Sequence, residues 1–587
     1  MTPFFLLSIG ALTPGALALQ PRQPLPRMEL HALDLPDTPI AGWRLTFKLR
    51  DELKVRATES GGLRSEVGAD LSELLKIAQE EGLRFRPLID LDPQLILGVE
   101  ARAAARSGRA QADLQGMLRV EGLADGKELV RIGQRLQGLA SVEYAFVETV
   151  GSPPPGFFAA PPGDIGTATD DFSPLQTWLG PDPGLNVLDA WDRGLTGEGV
   201  QVSDVEYGWN NDHEDLNDRD LNLEAGTAVP GWVLSYGWDE HGTAVLGQIA
   251  AGNNGYGVTG GAYDVQIATF PEYTDAEGSR RAAAITSAVA ASAEGDVILL
   301  EMQAVTRPGG NYGPAELDPN VFTAVQTGVD AGVTIVGAAG NGSENLDSGF
   351  YKANYLAWGD SGAIIVGAGS PDAAHDIAYF STYGSRVDVQ AWGFSIVTTA
   401  YGDLAAVDRD KNQYYTREFG GTSGASPMVT LVAALLQGYA REHMGGPIDP
   451  LELRALLIET GIPQGAGGHI GPMPDVIAAL EELDPDGTGD GGATDGGGTD
   501  GGGTDGGGTD GGGSDGGGTD GGGTDGGGDT GDGGGDTGGD GGGEEDVVKD
   551  DCGGCAVGGP GARGLGAAWL VLVPGVVLLR RRRAPSS

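Results

Sequence analysis

The sequence predicts an α/β protein whose main body is a doubly wound parallel sheet covered by helices, preceded by a small α+β domain. Three observations carry this. Between residues 172 and 484 short apolar runs alternate with Ala-rich stretches at helical spacing, the pattern of strands buried on both faces and crossed over by helices. Residues 28–150 instead mix alternating strands with amphipathic stretches. A Pro-rich break, Ser152-Pro153-Pro154-Pro155, separates the two zones.

In chain order, the first element is Met1 to Gln20, with an apolar run and the small-residue pattern Ala16-Leu17-Ala18. It reads as a signal peptide over 1–18 that lacks a basic start, and it leads to an expectation of secretion. In the 28–150 zone, Trp43 to Leu49 alternates as a strand. Ala69 to Glu81 and Leu123 to Leu139 have helical spacing, and Val142 to Val147 closes the zone as a strand. The main body follows. Its strands are expected at Val200-Gln201-Val202, Val265-Gln266-Ile267, Val297 to Leu300, Val333 to Val336 and Ile364-Ile365-Val366, with a helix over Arg280 to Ala293.

Within the zone 485–551 a Thr-Asp-Gly-Gly-Gly unit recurs, with minor variation, from Gly487 to Gly543. Its period of about five, with no aliphatic position, differs from the nine-residue calcium β-roll repeat, and without apolar residues nothing offsets chain entropy. A charged, disordered linker is expected. Residues 484–551 hold 17 Asp and 2 Glu against one Lys, a net of −18 within a whole-chain charge of −47. So acidic a chain repels nucleic acid, which is excluded as a partner. The last zone, 552–587, places Cys552 and Cys555 before an apolar run from Gly564 to Leu579 and the cluster Arg580 to Arg583. As a helix the run spans about 24 Å against a hydrocarbon core of about 30 Å. The arginines would remain cytoplasmic, tethering the rest outside. These two cysteines are the only ones, so the folded part has no disulfide, thiol nucleophile or cysteine metal site.

Four motifs in the main body carry chemistry. Gly421-Thr422-Ser423-Gly424-Ala425-Ser426-Pro427 puts a serine among small residues at the start of an apolar helix. A peptide can approach it there, and the helix N-terminus favours developing negative charge. Serine needs a base, and only six histidines compete for that role. His241, in Glu240-His241-Gly242-Thr243-Ala244-Val245, opens a small-residue helix. Asp204 ends the strand Val200-Gln201-Val202-Ser203-Asp204, where open α/β sheets place their sites, and can hold an imidazole in one tautomer. Asn341, in Gly337-Ala338-Ala339-Gly340-Asn341-Gly342, can donate to an oxyanion. Each alone has a bland reading: a helix cap, a structural histidine, a turn cap, an Asn-Gly turn.

Together, in the order Asp, His, Asn, Ser, the motifs resemble the subtilisin family over residues 185–480, with its H-G-T-x-V, A-A-G-N and G-T-S-x-[AS]-[SA]-P signatures. The resemblance implies a serine endopeptidase acting on proteins or peptides without a catalytic cofactor. It implies Asp204 as orienting acid, His241 as general base, Ser423 as nucleophile and Asn341 in the oxyanion hole. One departure stands out. The family's D-[ST]-G is here Asp204-Val205-Glu206, which makes Glu206 a local modifier of the site. Another is that the family's S-L-G strand reads Glu301-Met302-Gln303, so Glu301 could favour a basic substrate residue. Ala251 to Val258 resembles the family's calcium loop, implying Asp215 and Asn254 as ligands of a structural calcium. The 28–150 zone resembles the family's propeptide, an intramolecular chaperone and inhibitor. The C-terminal zone resembles a myxobacterial-type sorting tail. Two other readings stay open: an inactive surface-binding protein of the same fold, and a sedolisin-like acid peptidase, which shares the G-T-S motif but not the histidine.

Overall fold

Short runs of branched aliphatic residues become the strands, and the Ala-rich stretches between them become helices that cross from one strand to the next. The computed structural model describes residues 19–30, 43–123, 126–149, 169–305 and 311–485. The expected signal peptide, and the linker and tail beyond residue 485, lie outside these residues. Among the described residues no helix is long and apolar enough to cross a membrane.

The N-terminal domain is built from β1 (Trp43–Leu49), α1 (Ser72–Glu81), β2 (Arg84–Pro87), α2 (Pro93–Ser107), β3 (Met117–Glu121), α3 (Gly126–Gln137) and β4 (Val142–Thr149). Its antiparallel sheet has the order β2-β3-β1-β4. α1 and α3 cover one face, enclosing Leu45, Phe47, Leu74, Ile77, Ile132 and Leu136. The sequence reading missed the middle of this domain. β2 reads Arg-Phe-Arg-Pro and buries only Phe85, too short a signal for a strand. α2 announces itself mainly by its cap, Asp92 accepting from the Gln94 N–H with Pro93 in the first turn. The domain also begins before residue 28, because the Leu25 N–H donates to Glu143 and Arg22 pairs with both Asp51 and Glu143.

The main body holds β5 (Gln201–Glu206), β6 (Asn222–Leu223), α4 (Asp239–Ala250), β7 (Gln266–Pro271), α5 (Arg281–Ala291), β8 (Val297–Leu300), α6 (Pro319–Asp330), β9 (Thr334–Ala338), β10 (Ile364–Gly369), β11 (Val389–Trp392) and α7 (Thr422–His443). The seven-stranded sheet runs β11-β10-β9-β8-β5-β7-β6, its neighbouring strands all parallel. All four side chains of β8 are buried, as a strand covered on both faces requires. α4 and α7 pack on one face with Val202, Leu299, Val336 and Val366. α5 and α6 pack on the other with Val205, Ile298, Ile335 and Ile365. Onto that second pair of helices the N-terminal domain lays α2 and the free face of its sheet, so Ile96, Val99, Met117, Tyr144 and Phe146 share one core with Ala283, Ile285, Phe322 and Val325. Tyr144 Oη donates to Asn320 Oδ1 (3.0 Å), and Asn320 Nδ2 donates to Thr46 Oγ1 (3.0 Å), fixing the register of this contact.

Candidate active site

Parallel pairing brings the carboxyl ends of four neighbouring strands to one edge. Leu299 stands opposite both Asp204 and Val336, and Glu206 opposite Pro271. Glu206 therefore ends β5 with Glu272 and Glu301 just beyond β7 and β8 on either side, and Asn341 follows in the loop after β9. α4 and α7 begin over the same edge and bring His241 and Ser423.

The α4 start can approach because Gly242 has no side chain: a Cβ there would sit 2.4 Å from the Gly208 carbonyl oxygen. Thr243 Oγ1 then accepts from the Asn210 N–H (2.9 Å) and donates to the Asp239 carbonyl (2.6 Å), locking the loop after β5 to the helix. His241 is 2% exposed, its ring lying 5.6 Å from that of Phe419. Ser423 is the second residue of α7 and is buried. The turn into that helix needs Gly421, whose φ is +81° and whose Cβ would meet Asn341 Nδ2 at 3.1 Å. Asn341 Oδ1 accepts from the Thr422 N–H (2.9 Å) and Thr422 Oγ1 (3.1 Å), and the Asn341 N–H donates to Gln303 Oε1 (3.0 Å). The amide orientation is thereby set, and among the described residues Nδ2 has no hydrogen-bond partner. The structure thus brings Asn341 to the start of the Ser423 helix, as expected.

Asp204 is placed differently from the expectation. It is fully buried, and its Oδ2 accepts from the Trp209 indole N–H at 2.7 Å. No oxygen of Asp204 comes within ion-pair reach of His241; Glu206 does, with Oε1 3.4 Å from Nδ1. Side chains two apart on a strand share a face, so Asp204 and Glu206 point the same way, and the one at the strand end reaches the imidazole. The signal was present in the sequence. Counting back from Gly208 instead of forward from the first acid gives Glu206-Tyr207-Gly208, an acid-x-Gly in the frame of D-[ST]-G.

The carboxyls of this edge do not all carry charge equally. Burial foremost, and then the Glu206 charge, raise the Asp204 carboxyl well above the usual range despite the Trp209 bond. Burial, then Asp204 and Glu206, raise Glu301 likewise. Glu272 is lifted to about 7 by burial and by Glu206, although Arg281, at 2.5 Å, pulls it down. Buried atoms without a hydrogen-bond partner gather here: Asp204 Oδ1, Glu206 Oε1, Glu301 Oε2 and both ring nitrogens of His241. Glu301, expected at the substrate, is 3% exposed and faces inward, so it does not form a surface acidic pocket for a basic residue.

The residues expected to hold calcium lie together but face one another as donor and acceptor. Asn254 Nδ2 and the Val258 N–H donate to the two oxygens of Asp215 (2.9 and 2.8 Å), and Asn254 Oδ1 accepts from the Tyr256 N–H. Burial above all raises Asp215 to about 7. A turn closed by its own hydrogen bonds does not offer the converging, charged oxygens that calcium takes. Among the described residues no group of three or more His, Cys, Asp or Glu could hold a metal ion.

A family model described as the subtilase family matches residues 197–499. The major intracellular serine protease of Bacillus subtilis (strain 168) is 26% identical over 294 residues, 48% of this chain and 82% of that protein. The alkaline elastase YaB of Bacillus sp. (strain YaB) is 32% identical over 250 residues, 42% of this chain and 57% of that one. Of the other curated relatives the match spans between 37% and 61% of the length. Among solved structures, fervidolysin from Fervidobacterium pennivorans, a keratinolytic enzyme related to subtilisin, matches with a TM-score of 0.47 and 19% identity over 78% of this chain and 64% of that one.

Proposed function

Because the chain belongs to the subtilase family of serine-type endopeptidases, we propose that it hydrolyses peptide bonds with Ser423 as nucleophile, His241 as general base, Glu206 as the acid that orients it and Asn341 in the oxyanion hole. The observation that carries this assignment is the contact of Glu206 Oε1 with His241 Nδ1 at 3.4 Å. A carboxylate on that nitrogen fixes the tautomer that leaves Nε2 free to accept the serine proton, and stabilises the imidazolium once formed. Ser423 Oγ attacks the carbonyl carbon as its proton passes to Nε2. The carbonyl oxygen becomes an oxyanion, to which Asn341 Nδ2 and the N-terminal end of α7 donate. His241 then returns the proton to the leaving amine, and water repeats the sequence on the acyl-enzyme.

An orienting glutamate is a point in favour of the sedolisin-like reading, but the histidine beside it belongs to the neutral-pH chemistry. Cleavage of an unstructured protein, read by mass spectrometry of the fragments, tests the assignment. Activity rising toward neutral pH and lost in Ser423→Ala supports it, and an acid optimum that survives His241→Ala overturns it.

We propose roles for the flanking segments as well. The N-terminal domain acts as propeptide, inhibitor and folding aid; the reading draws on its resemblance to that class of domain and its core shared with α5 and α6. Export is supported by the N-terminal residues 1–18 and by relatives such as the minor extracellular protease Epr. Tethering by residues 552–587 rests on the sequence pattern alone.

A further inference from the structure

Ser426 lies one turn beyond Ser423 on α7, and its hydroxyl has one hydrogen to give. Yet its Oγ is 2.8 Å from the Thr422 carbonyl oxygen and 2.9 Å from Glu301 Oε1. The carbonyl can only accept. If the Ser426 hydrogen goes to Thr422, as it does in the common back-bond to the preceding turn, the hydrogen in the second contact must come from Glu301. Were Glu301 ionised, the two short contacts would have to share the one Ser426 hydrogen. A neutral Glu301 gives each contact a hydrogen of its own.

We propose that Glu301 is a positioning residue for the nucleophile: as a neutral, buried carboxyl it donates to Ser426 and holds the first turn of the Ser423 helix, and when ionised it disarms that helix. The inference rests on the serine-endopeptidase reading above. From β5 two carboxyls, Asp204 and Glu206, bear on it, and from α7 the Ser426 hydroxyl meets its Oε1 at 2.9 Å. Burial foremost, and then the neighbouring Asp204 and Glu206, favour its protonated form. His241 meets Glu206 in turn, Nδ1 lying 3.4 Å from Oε1. As pH rises, the Glu301 proton leaves for solvent, and the new carboxylate accepts the hydroxyl hydrogens of Ser426 and Ser423. The nucleophile then points at Glu301 instead of at the imidazole. No bond is broken in the protein; the nucleophile is diverted.

The test compares wild type, E301Q and E301A for kcat and KM on a peptide amide, and for the rate of Ser423 labelling by a sulfonyl fluoride, over a pH series reaching strongly alkaline values. Glutamine keeps a donor and an acceptor but cannot ionise. Wild type is expected to lose activity and labelling about ten-fold per pH unit on the alkaline side while still folded by circular dichroism. E301Q should keep most of the neutral-pH rate and lack that fall. E301A should lose about 10- to 100-fold in kcat with KM little changed, since the nucleophile is misplaced and not unbound. An alkaline fall of the same size and position in E301Q overturns the proposal, as does a wild type with no such fall. If E301A does not fold, the comparison of E301Q with wild type decides alone. Absence of Ser423 labelling in every form would fail the catalytic reading instead, so the two failures are distinct.

Discussion

Two places in this protein bury several charged groups together, and they treat them oppositely. In the N-terminal domain Lys48 is fully buried, yet its Nζ donates to Glu143 Oε2 (3.1 Å), to the Leu49 carbonyl (3.0 Å) and to Asp51. Arg22 reaches the same two acids at 2.6 Å each. Every charge there has its counter-charge. At the active edge of the sheet, Asp204, Glu206 and Glu301 each keep an oxygen with no hydrogen-bond partner among the described residues, and His241 keeps both nitrogens so. Burying polar atoms unpaired costs about 1–3 kcal/mol apiece. A fold bears such a cost where the missing partner is a substrate, so the paired cluster reads as architecture and the unpaired one as chemistry.

The contrast breaks most visibly at Ser423. Ser423→Ala should lower kcat by four to six orders of magnitude, roughly the loss when such a nucleophile is removed, without lowering the melting temperature. It should also leave the N-terminal domain attached on a denaturing gel. Next is Glu206→Gln, expected to cost about 10³- to 10⁴-fold in kcat because the imidazole loses its tautomer. Asp204→Asn is its control and should stay within about ten-fold of wild type; the reverse ranking would return the orienting role to Asp204. Asn341→Ala should cost about 10²- to 10³-fold in kcat at nearly constant KM, since the oxyanion exists only beyond the ground state. Glu143→Gln sharpens the other side. It leaves Lys48 and Arg22 to share Asp51 alone and should destabilise the N-terminal domain by about 1–3 kcal/mol, measured by thermal unfolding, while the isolated peptidase reaction is untouched.

The two clusters also answer pH with opposite signs. Burial would raise Glu143 and Asp51, but Arg22 and Lys48 outweigh it and hold both carboxyls below their ordinary values. Their contribution is present above the unfolded-state pKa and is lost as pH falls through the folded one. Asp204 and Glu301 are raised, so what they contribute is present in acid and lost as pH climbs through their folded values. Acid should loosen the N-terminal domain first and alkali the active edge first, which hydrogen exchange followed domain by domain would show.

Much of this was legible in the chain itself. The parallel sheet followed from runs such as Val297 to Leu300, since period-free aliphatic stretches suit strands covered on both faces. Ser423, His241 and Asn341 could be singled out because each needs small neighbours, and those glycines and alanines are written beside them. Asp204 misled because two acids sit on one face of β5, and which of them reaches the imidazole depends on where the strand ends. Pairing with β7 and β8 carries the strand to Glu206, and the frame Glu206-Tyr207-Gly208 is the local trace of that end. Glu301 was legible as a departure but not in its direction. Only the packed helix shows it turned toward Ser426, away from any substrate. Asp215 and Asn254 were rightly brought together, while their choice of each other as partners was hidden in the amide's orientation.

The core that α2 and β4 share with α5 and α6 has a kinetic meaning. As long as the chain is continuous, the N-terminal domain meets its docking face at the millimolar effective concentration of a short tether. Were the chain cut between the two domains, the same contacts would have to compete with dilution, and occupancy would follow the amount of protein per volume. Tyr144, Phe146, Ile96 and Val99 would then face water on one side, and Ala283, Ile285, Phe322 and Val325 on the other. In a chain so cut, a concentrated solution would keep the two halves together and a dilute one would let them part.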